Sequence, residues 1–301
     1  MSALTDAVIF GLIFATLAAA WSWLGSYAGI VSFGHAVFFG IGAYAVAISN
    51  FRGASPWYGT LGGALLSVAL GVICGLVSLR GRGYAFALLM LLVGALAEPL
   101  AAARTWLGPR DTYTFPFNPG FLALQFETKW PYLLLALAVF AVAQGLTFAL
   151  RSPRIGYSLR ALRAGPATAG SARRAAGAAL PSRFAALAMS AFVTSVAGSL
   201  FAQYTLAVSP HVMFGLPLSF DIALLGVIAG SASAFGPLFA GLVYVLATKA
   251  VTLHPAGIAG AVVLVAEGIA VVLVVLLRPQ GLFALPQRRQ PKRVRMAKAA
   301  R

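Results

Sequence analysis

The polar residues that could do chemistry in this 301-residue chain are few and far apart. Its three histidines, His35, His211 and His254, are dispersed, and no Gly-x-Ser-x-Gly, His-Glu-x-x-His or Walker A sequence occurs. Cys74 is the only cysteine, which excludes an intrachain disulfide and a cysteine-based metal site. A membrane-embedded enzyme would need a clustered nucleophile, metal site or acid-base pair. We therefore expect no catalytic residues, no metal and no cofactor.

Ionisable residues inside apolar runs could instead move protons or bind a solute. Glu98, Asp221 and Glu267 lie in such runs, where a charge is costly unless it faces protein or a water-filled cavity. A proton relay would need basic partners, and the candidates are Lys249 within an apolar run and His254 just beyond it. Proton coupling through these residues stays open as an alternative.

The densest pattern of small and polar residues runs from Gly29 to Tyr44. Glycines at such positions let neighbouring backbones approach closely, and Ser32 and His35 add polar groups. The pattern fits either tight packing or the lining of a pore. His35 itself could be a packing histidine that hydrogen-bonds a backbone carbonyl, or it could act on a substrate or a proton.

The elements that must position these residues are transmembrane helices. Sixty per cent of the residues are hydrophobic, only nine per cent are charged, and the mean hydropathy is +0.91. Soluble domains have about a quarter of their residues charged. Repeated apolar runs of about 18 to 22 residues match the bilayer core at 1.5 Å rise per residue. The predicted spans are residues 7–24, 30–48, 57–79, 84–103, 130–150, 184–206, 216–230, 234–251 and 257–277.

The predicted fold is an all-α, polytopic integral membrane protein with about nine transmembrane helices (8–10). We expect one membrane domain over residues 1–285 and a basic cytoplasmic tail over residues 286–301. The run at 216–230 is short for a full crossing, and Gly226, Gly230 and Gly236 interrupt it and its neighbour. These glycines predict broken or re-entrant segments.

The positive charge indicates orientation. A net charge of +16 could indicate nucleic-acid binding, but most of the lysines and arginines fall in residues 151–183 and 278–301. The positive-inside rule makes both blocks cytoplasmic. Four predicted spans separate the two basic blocks, an even number, so both blocks can lie in the cytoplasm together with the C-terminus. Counting back from the first block places residues 104–129 and the N-terminus outside. We expect lipid rather than nucleic acid as the partner of the tail.

The cytoplasmic loop over about residues 151–183 contains a candidate docking helix, which Gly165 and Pro166 would end. Apolar residues share one of its faces, with arginines beside them. Such a helix could lie on anionic lipid head groups or dock against a cytoplasmic partner. The residues concerned are Gly156, Tyr157, Leu159, Arg160, Leu162 and Arg163.

Several of these stretches together resemble the permease subunits of branched-chain amino-acid ABC importers, the LivM type of the LivH/LivM family, whose relatives handle urea and amides. The resemblance covers most of residues 20–285, and it includes the Gly156 to Arg163 loop, Ser219-Phe-Asp221 and Arg278-Pro279-Gln-Gly281-Leu282. Its strongest motif is carried by Tyr27, Gly29, Ser32, Gly34, His35, Phe38, Gly40, Gly42, Ala43 and Tyr44.

The resemblance implies an importer subunit in the bacterial inner membrane. Its partners would be a second, homologous permease, two cytoplasmic ATP-binding subunits that hydrolyse ATP, and a periplasmic or extracellular solute-binding protein. Polar and small groups near broken helices can bind amino-acid-like zwitterions. A stand-alone secondary transporter or channel is the alternative function. Our candidate pathway residues are Ser32, Gly34, His35, Tyr44, Ser219 and Asp221.

Overall fold

A computed structural model describes residues 2–78, 85–103, 112–150, 169–230, 235–253 and 269. These residues are mostly helical, which confirms the predicted class in its main feature. The elements are α1 (Ser2–Ser22), a π-helix (Trp23–Ala28), α2 (Ala36–Phe51), α3 (Pro56–Ser78), α4 (Ala85–Ala102), β1 (Tyr113–Thr114), a 3-10 turn (Phe121–Ala123), α5 (Trp130–Leu150), α6 (Ala169–Thr205), β2 (Ala207–Val208), α7 (Pro210–Phe214), α8 (Leu216–Ala229) and α9 (Gly236–Leu253).

Six stretches within the described residues are long and apolar enough to cross a membrane. Two shorter apolar helices, Ala36–Phe51 and Gly236–Thr248, accompany them. The predicted span at 257–277 lies outside the described residues except for Ile269, so the count of about nine is not confirmed. The six stretches are Ala3–Gly25, Pro56–Val77, Ala85–Ala102, Trp130–Leu150, Leu180–Thr205 and Pro210–Ala229.

Three predicted boundaries differ from the structure. The second span was expected from residue 30, but α2 begins at Ala36 because the chain leaves helical geometry at Gly29. The polar residues before 184 were expected to form a loop, whereas α6 is already helical from Ala169. The stretch at 216–230 is extended by α7, and the two helices meet at Gly215.

A two-stranded ladder and an isolated bridge between Gly120 and Gln125 depart from the all-α prediction among the described residues. Tyr113 pairs with Val208 and Thr114 with Ala207 in antiparallel register. Both strands lie between helices, where backbone N–H and C=O groups have no helical partners and bond to one another instead. The ladder ties the segment after α4 to the end of α6.

The inner helices are α1, α2 and α6, and α3, α4 and α5 present leucines outward. Residues 12–24 are buried throughout α1 and the start of the π-helix. Leu65 on α3, Leu92 on α4 and Leu134 on α5 are all more than half exposed. Acyl chains can cover such side chains at little cost, so the outer faces of these helices suit a bilayer.

Helices α2 and α6 cross with their backbones in contact. A Cβ atom on Gly42 would overlap the carbonyl oxygen of Ser195, and one on Gly198 would overlap that of Phe39. The Ser199 hydroxyl donates to the carbonyl of Gly42 at 3.1 Å. Small residues allow this approach in membrane helices, where packing and hydrogen bonds hold helices together.

An ion pair joins three helices at one end of the bundle, which we call the Lys129 end. The Lys129 ammonium lies 2.6 and 2.8 Å from the two carboxylate oxygens of Asp6 on α1. The Tyr204 hydroxyl, near the end of α6, donates to the same carboxylate. The N-terminal turn of α1 and the segment before α5 therefore lie at the same end of the bundle.

We expect Lys129→Met to destabilise the protein by at most about 1 kcal/mol, because the two side chains are 42% and 33% exposed and exposed ion pairs contribute little. The loss should shrink at high salt, which screens the pair. Thermal unfolding in detergent at two salt concentrations measures it. Lys129→Arg, which keeps the charge, is the control. A loss that does not change with salt would contradict this interpretation.

Candidate functional site

The candidate site begins where α1 ends and the chain turns back into the bundle. The π-helix Trp23–Ala28 stops at Gly29, whose φ of 69° lies in the left-handed region that favours glycine. Residues 29–35 are not helical, and α2 starts at Ala36 with its first turn fully enclosed. Irregular backbone at membrane depth is tolerated where protein or water surrounds it, and π-helices are frequent at functional sites.

His35 is completely buried and joins this irregular segment to α6. Its Nε2 lies 3.1 Å from the Ser190 hydroxyl oxygen, and the Ser190 hydroxyl donates to the carbonyl of Ala20 at 2.8 Å. A hydroxyl has one hydrogen, so Ser190 must accept from an Nε2–H group. Nδ1 is then free to accept from the Ser32 hydroxyl at 3.3 Å. A neutral ring satisfies both contacts, and its partners are hydroxyls rather than the backbone carbonyl expected of a packing histidine.

Two further contacts fix the same segment. The Trp21 indole Nε1 donates to the carbonyl of Ser32 at 2.8 Å. The Ser219 hydroxyl on α8 accepts from the backbone N–H of Ala36 at 3.1 Å. This N–H belongs to the first turn of α2, where helices lack internal acceptors. Helices α1 and α8 thus hold the start of α2 inside the bundle.

Gly34 completes the enclosure on the α4 side. A Cβ atom at Gly34 would overlap the carbonyl oxygen of Met90 and lie 2.7 Å from its carbonyl carbon. The structure therefore brings four predicted pathway residues together: Ser32, Gly34, His35 and Ser219.

The other two predicted pathway residues, Tyr44 and Asp221, lie farther along α2 and α8 than the residues that surround the start of α2. Tyr44 is half-buried toward the end of α2, and its ring centroid is 5.2 Å from that of Phe214. Asp221 is half-buried on α8, two residues beyond Ser219. Their roles stay predictions.

Several predicted residues fall outside the described part of the chain. This applies to the coupling residues from Gly156 to Arg163, and also to Glu267 and His254. Glu98 is described, and its carboxylate lies 2.9 Å from Nδ1 of His211. The His211 side chain is 77% exposed. The sequence did not indicate the pairing of Glu98 with His211, which links α4 to α7.

Ser190 and Trp21 contribute to the site and were missed from the sequence. Ser190 lies in a run of small apolar residues, and Trp21 lies in the first apolar run. Neither position carries a local motif, because their partners come from distant parts of the chain. The Gly29 to Tyr44 pattern and the family resemblance at Ser219 were the signals that pointed to this region.

Among the described residues, no group of three histidine, cysteine or acidic side chains could hold a metal ion. Serine hydroxyls and a neutral imidazole can form hydrogen bonds with an uncharged or zwitterionic solute.

Comparison with known proteins identifies the family of the chain. The sequence model of one family, described as branched-chain amino acid transport system / permease component, matches residues 3–277. No curated protein and no solved structure matches the chain. The match extends from α1 beyond α9 and includes the whole Gly29 to Tyr44 segment. The chain therefore belongs to the permease components of branched-chain amino acid transport systems, as the resemblance predicted.

Proposed function

We propose that this chain is the membrane-spanning permease subunit of an ABC importer that carries branched-chain amino acids, or a related small polar solute such as urea or an amide, across the bacterial inner membrane. The family match over residues 3–277 is the observation that carries the proposal. A second homologous permease, two cytoplasmic ATP-binding subunits and an external solute-binding protein complete the importer. ATP hydrolysis takes place on the ATP-binding subunits.

The interior start of α2 is the proposed point of solute contact. Ser32, His35 and Ser219 are each 0% exposed, so in this proposal the pathway is closed when these residues are enclosed. The amino end of a helix attracts a carboxylate. A solute carboxylate that reached the Ala36 N–H would replace the hydroxyl of Ser219 as its acceptor. Gly34 keeps the backbone close to α4, and Tyr44 and Asp221 extend the pathway in this proposal.

Movement of the helices opens this closed state in the proposed cycle. The candidate docking helix over residues 157–163 precedes α6, the longest described helix. Ser190 on α6 is bonded to His35, so a shift of α6 acts directly on the irregular segment. Rigid-body rocking of packed helices is a common way to change which side of a membrane a cavity faces. In this cycle, ATP-driven closure of the ATP-binding subunits moves the docking helix and, through it, α6.

The proposed orientation places the Lys129 end outside the cell. The N-terminus is then external, the loop over residues 151–183 and the C-terminus are cytoplasmic, and residues 286–301 form a basic tail after a single membrane domain over residues 1–285. The solute-binding protein would meet the Lys129 end, and the ATP-binding subunits would meet the opposite end.

Docking of the ATP-binding subunits is tested by placing aspartate at Leu159 and Arg163. An apolar contact and a cation would both be lost, so we expect the amount of ATP-binding subunits that co-purifies to fall at least about tenfold, since each 1.4 kcal/mol is a factor of ten. Lys292→Asp in the tail makes an equivalent charge change and serves as the control. Undiminished assembly and transport in the Leu159 and Arg163 variants would reject the docking role.

Uptake by reconstituted protein tests the function as a whole. With all companion subunits present, ATP should drive uptake of one class among aliphatic amino acids, urea and amides. The chain alone in proteoliposomes should be inactive under a proton or sodium gradient. Uptake by the chain alone would overturn the proposal in favour of a secondary transporter or channel.

A further inference from the structure

A cavity of about 80 Å³ lies between α3, α5 and α6, away from the candidate site. Thr60 on α3, Val139 on α5, and Val196 and Gln203 on α6 are among the residues that line it. Leu124, which follows the 3-10 turn, closes the end nearest the Lys129 end. Three helices and one turn therefore build this space.

The outer faces beside the cavity are apolar. Leu61 on α3 and Leu134 on α5 are 56% and 63% exposed and lie one residue from cavity-lining positions. In a membrane these leucines contact acyl chains. The gap between α3 and α5 therefore opens toward lipid.

The position of the aromatic residues gives the depth of the cavity. Trp57, Tyr58 and Trp130 are exposed at the first turns of α3 and α5, and such residues favour the membrane interface. Gln203 and Val196 are seven residues apart on α6, which is about 10 Å along a helix. The cavity therefore extends from near the interface into the hydrocarbon layer, with Gln203 at the interfacial end.

The lining of the cavity is polar at the interfacial end and apolar deeper in the membrane. Gln203 is 1% exposed, and its Nε2 donates to the carbonyl of Ala123 at 3.1 Å. Its Oε1 atom is buried and has no hydrogen-bond partner within the described part of the chain. A buried amide oxygen without a donor is costly, so a rotation of the Gln203 amide that turned Oε1 into the cavity would be stabilised by an N–H or O–H group there. Deeper in the cavity, Leu135, Val139 and Val196 favour an alkyl chain.

We propose that this cavity binds one acyl chain of a membrane phospholipid whose head group carries an N–H or O–H donor, as phosphatidylethanolamine and phosphatidylglycerol do, and that this donor reaches Oε1 of Gln203. Water would find room, but the apolar walls offer it few of the two to four polar partners that a buried water needs. The site is independent of what the importer carries.

Photo-crosslinking tests the position of the acyl chain. The full-length protein in nanodiscs would be irradiated with phosphatidylethanolamine that carries a diazirine on one acyl chain, and the labelled peptides identified by mass spectrometry. We expect label on Val139 and Val196. Val139→Trp fills the cavity and should reduce the label at Val196 about tenfold, which corresponds to 1.4 kcal/mol. Leu137→Trp, on the exposed face of the same helix, should leave it unchanged.

Label confined to outward leucines such as Leu134, or unchanged at Val196 in Val139→Trp, would overturn the proposal. Loss of the label when a companion permease is co-expressed would also overturn it, because protein would then cover the cavity.

Competition tests the head group, and it does not depend on the folding of Val139→Trp. Unlabelled phosphatidylethanolamine should displace the probe about three- to tenfold better than phosphatidylcholine, which has no donor, since a net hydrogen bond contributes about 0.5 to 1.5 kcal/mol. Gln203→Met has a similar shape without the oxygen and should abolish the preference. Equal displacement by the two lipids, or a preference that persists in Gln203→Met, would overturn the role of Gln203.

Discussion

Gly42→Ala is expected to prevent α2 from packing against α6. The added Cβ would overlap the carbonyl oxygen of Ser195 and lie 2.7 Å from both its carbonyl carbon and its Oγ. The clash is with backbone of a rigid helix, so the helices must separate and the Ser199 bond to Gly42 must break. Overpacking of this kind costs about 3 kcal/mol or more. The yield of monodisperse protein after extraction, and its unfolding temperature, measure the loss.

Gly62→Ala is the matched control for this experiment. Gly62 lies on α3, and a Cβ atom there would meet nothing within 4 Å. The change should leave stability equal or slightly improved, since alanine is the better helix former. If Gly42→Ala proved as stable as Gly62→Ala, the backbone contact between α2 and α6 would be wrong.

His35→Leu is expected to destabilise the protein by about 2 to 4 kcal/mol, because it removes two buried hydrogen bonds of one network. Ser32 would lose the acceptor for its hydroxyl, and Ser190 would lose the donor on its oxygen. Ser190→Ala should cost about 1 to 3 kcal/mol, because it leaves the Nε2–H group of His35 buried without an acceptor. Thermal or chemical unfolding of the single and double variants gives the values.

The double variant decides whether the two residues act together. Once leucine replaces His35, no N–H remains to be stranded, so Ser190→Ala should cost at least about 1 kcal/mol less than it does alone. Strictly additive costs would show that the contact between His35 and Ser190 does not contribute. Ser49→Ala, whose hydroxyl donates to its own helix at Ala45, is a control that should be additive with His35→Leu.

The helical membrane class could be predicted because it depends on composition and run length. Composition and run length do not show where within an apolar run the backbone stops being helical, because individual side-chain contacts decide that. Residues 30–48 are continuously apolar enough to suggest one helix, yet the segment before Ala36 is held in an irregular form by Trp21 and Ser219. In the opposite direction, α6 begins at Ala169, before the predicted start of that span at residue 184.

The candidate site could be predicted only in part, because sequence motifs reveal residues that are close together in the chain and not their distant partners. Ser32, Gly34 and His35 stand out because they are neighbours in one motif, and Ser219 was recovered through the family resemblance. Ser190 is 155 residues from its partner His35, and a lone serine in an apolar run does not indicate a contact at that distance. The pairings β1 with β2 and Glu98 with His211 escaped prediction for the same reason.

The ion pair at the Lys129 end also constrains how the protein is made. Asp6 lies in α1, and its partners Lys129 and Tyr204 follow it by 123 and 198 residues in the chain. At a synthesis rate of about 5 to 20 residues per second, Tyr204 emerges roughly 10 to 40 s after Asp6. During that interval α1 must wait in the membrane without its final neighbours. Biogenesis of this protein therefore includes an incompletely assembled stage in which α1 is already in the membrane before the partners of Asp6 have been made.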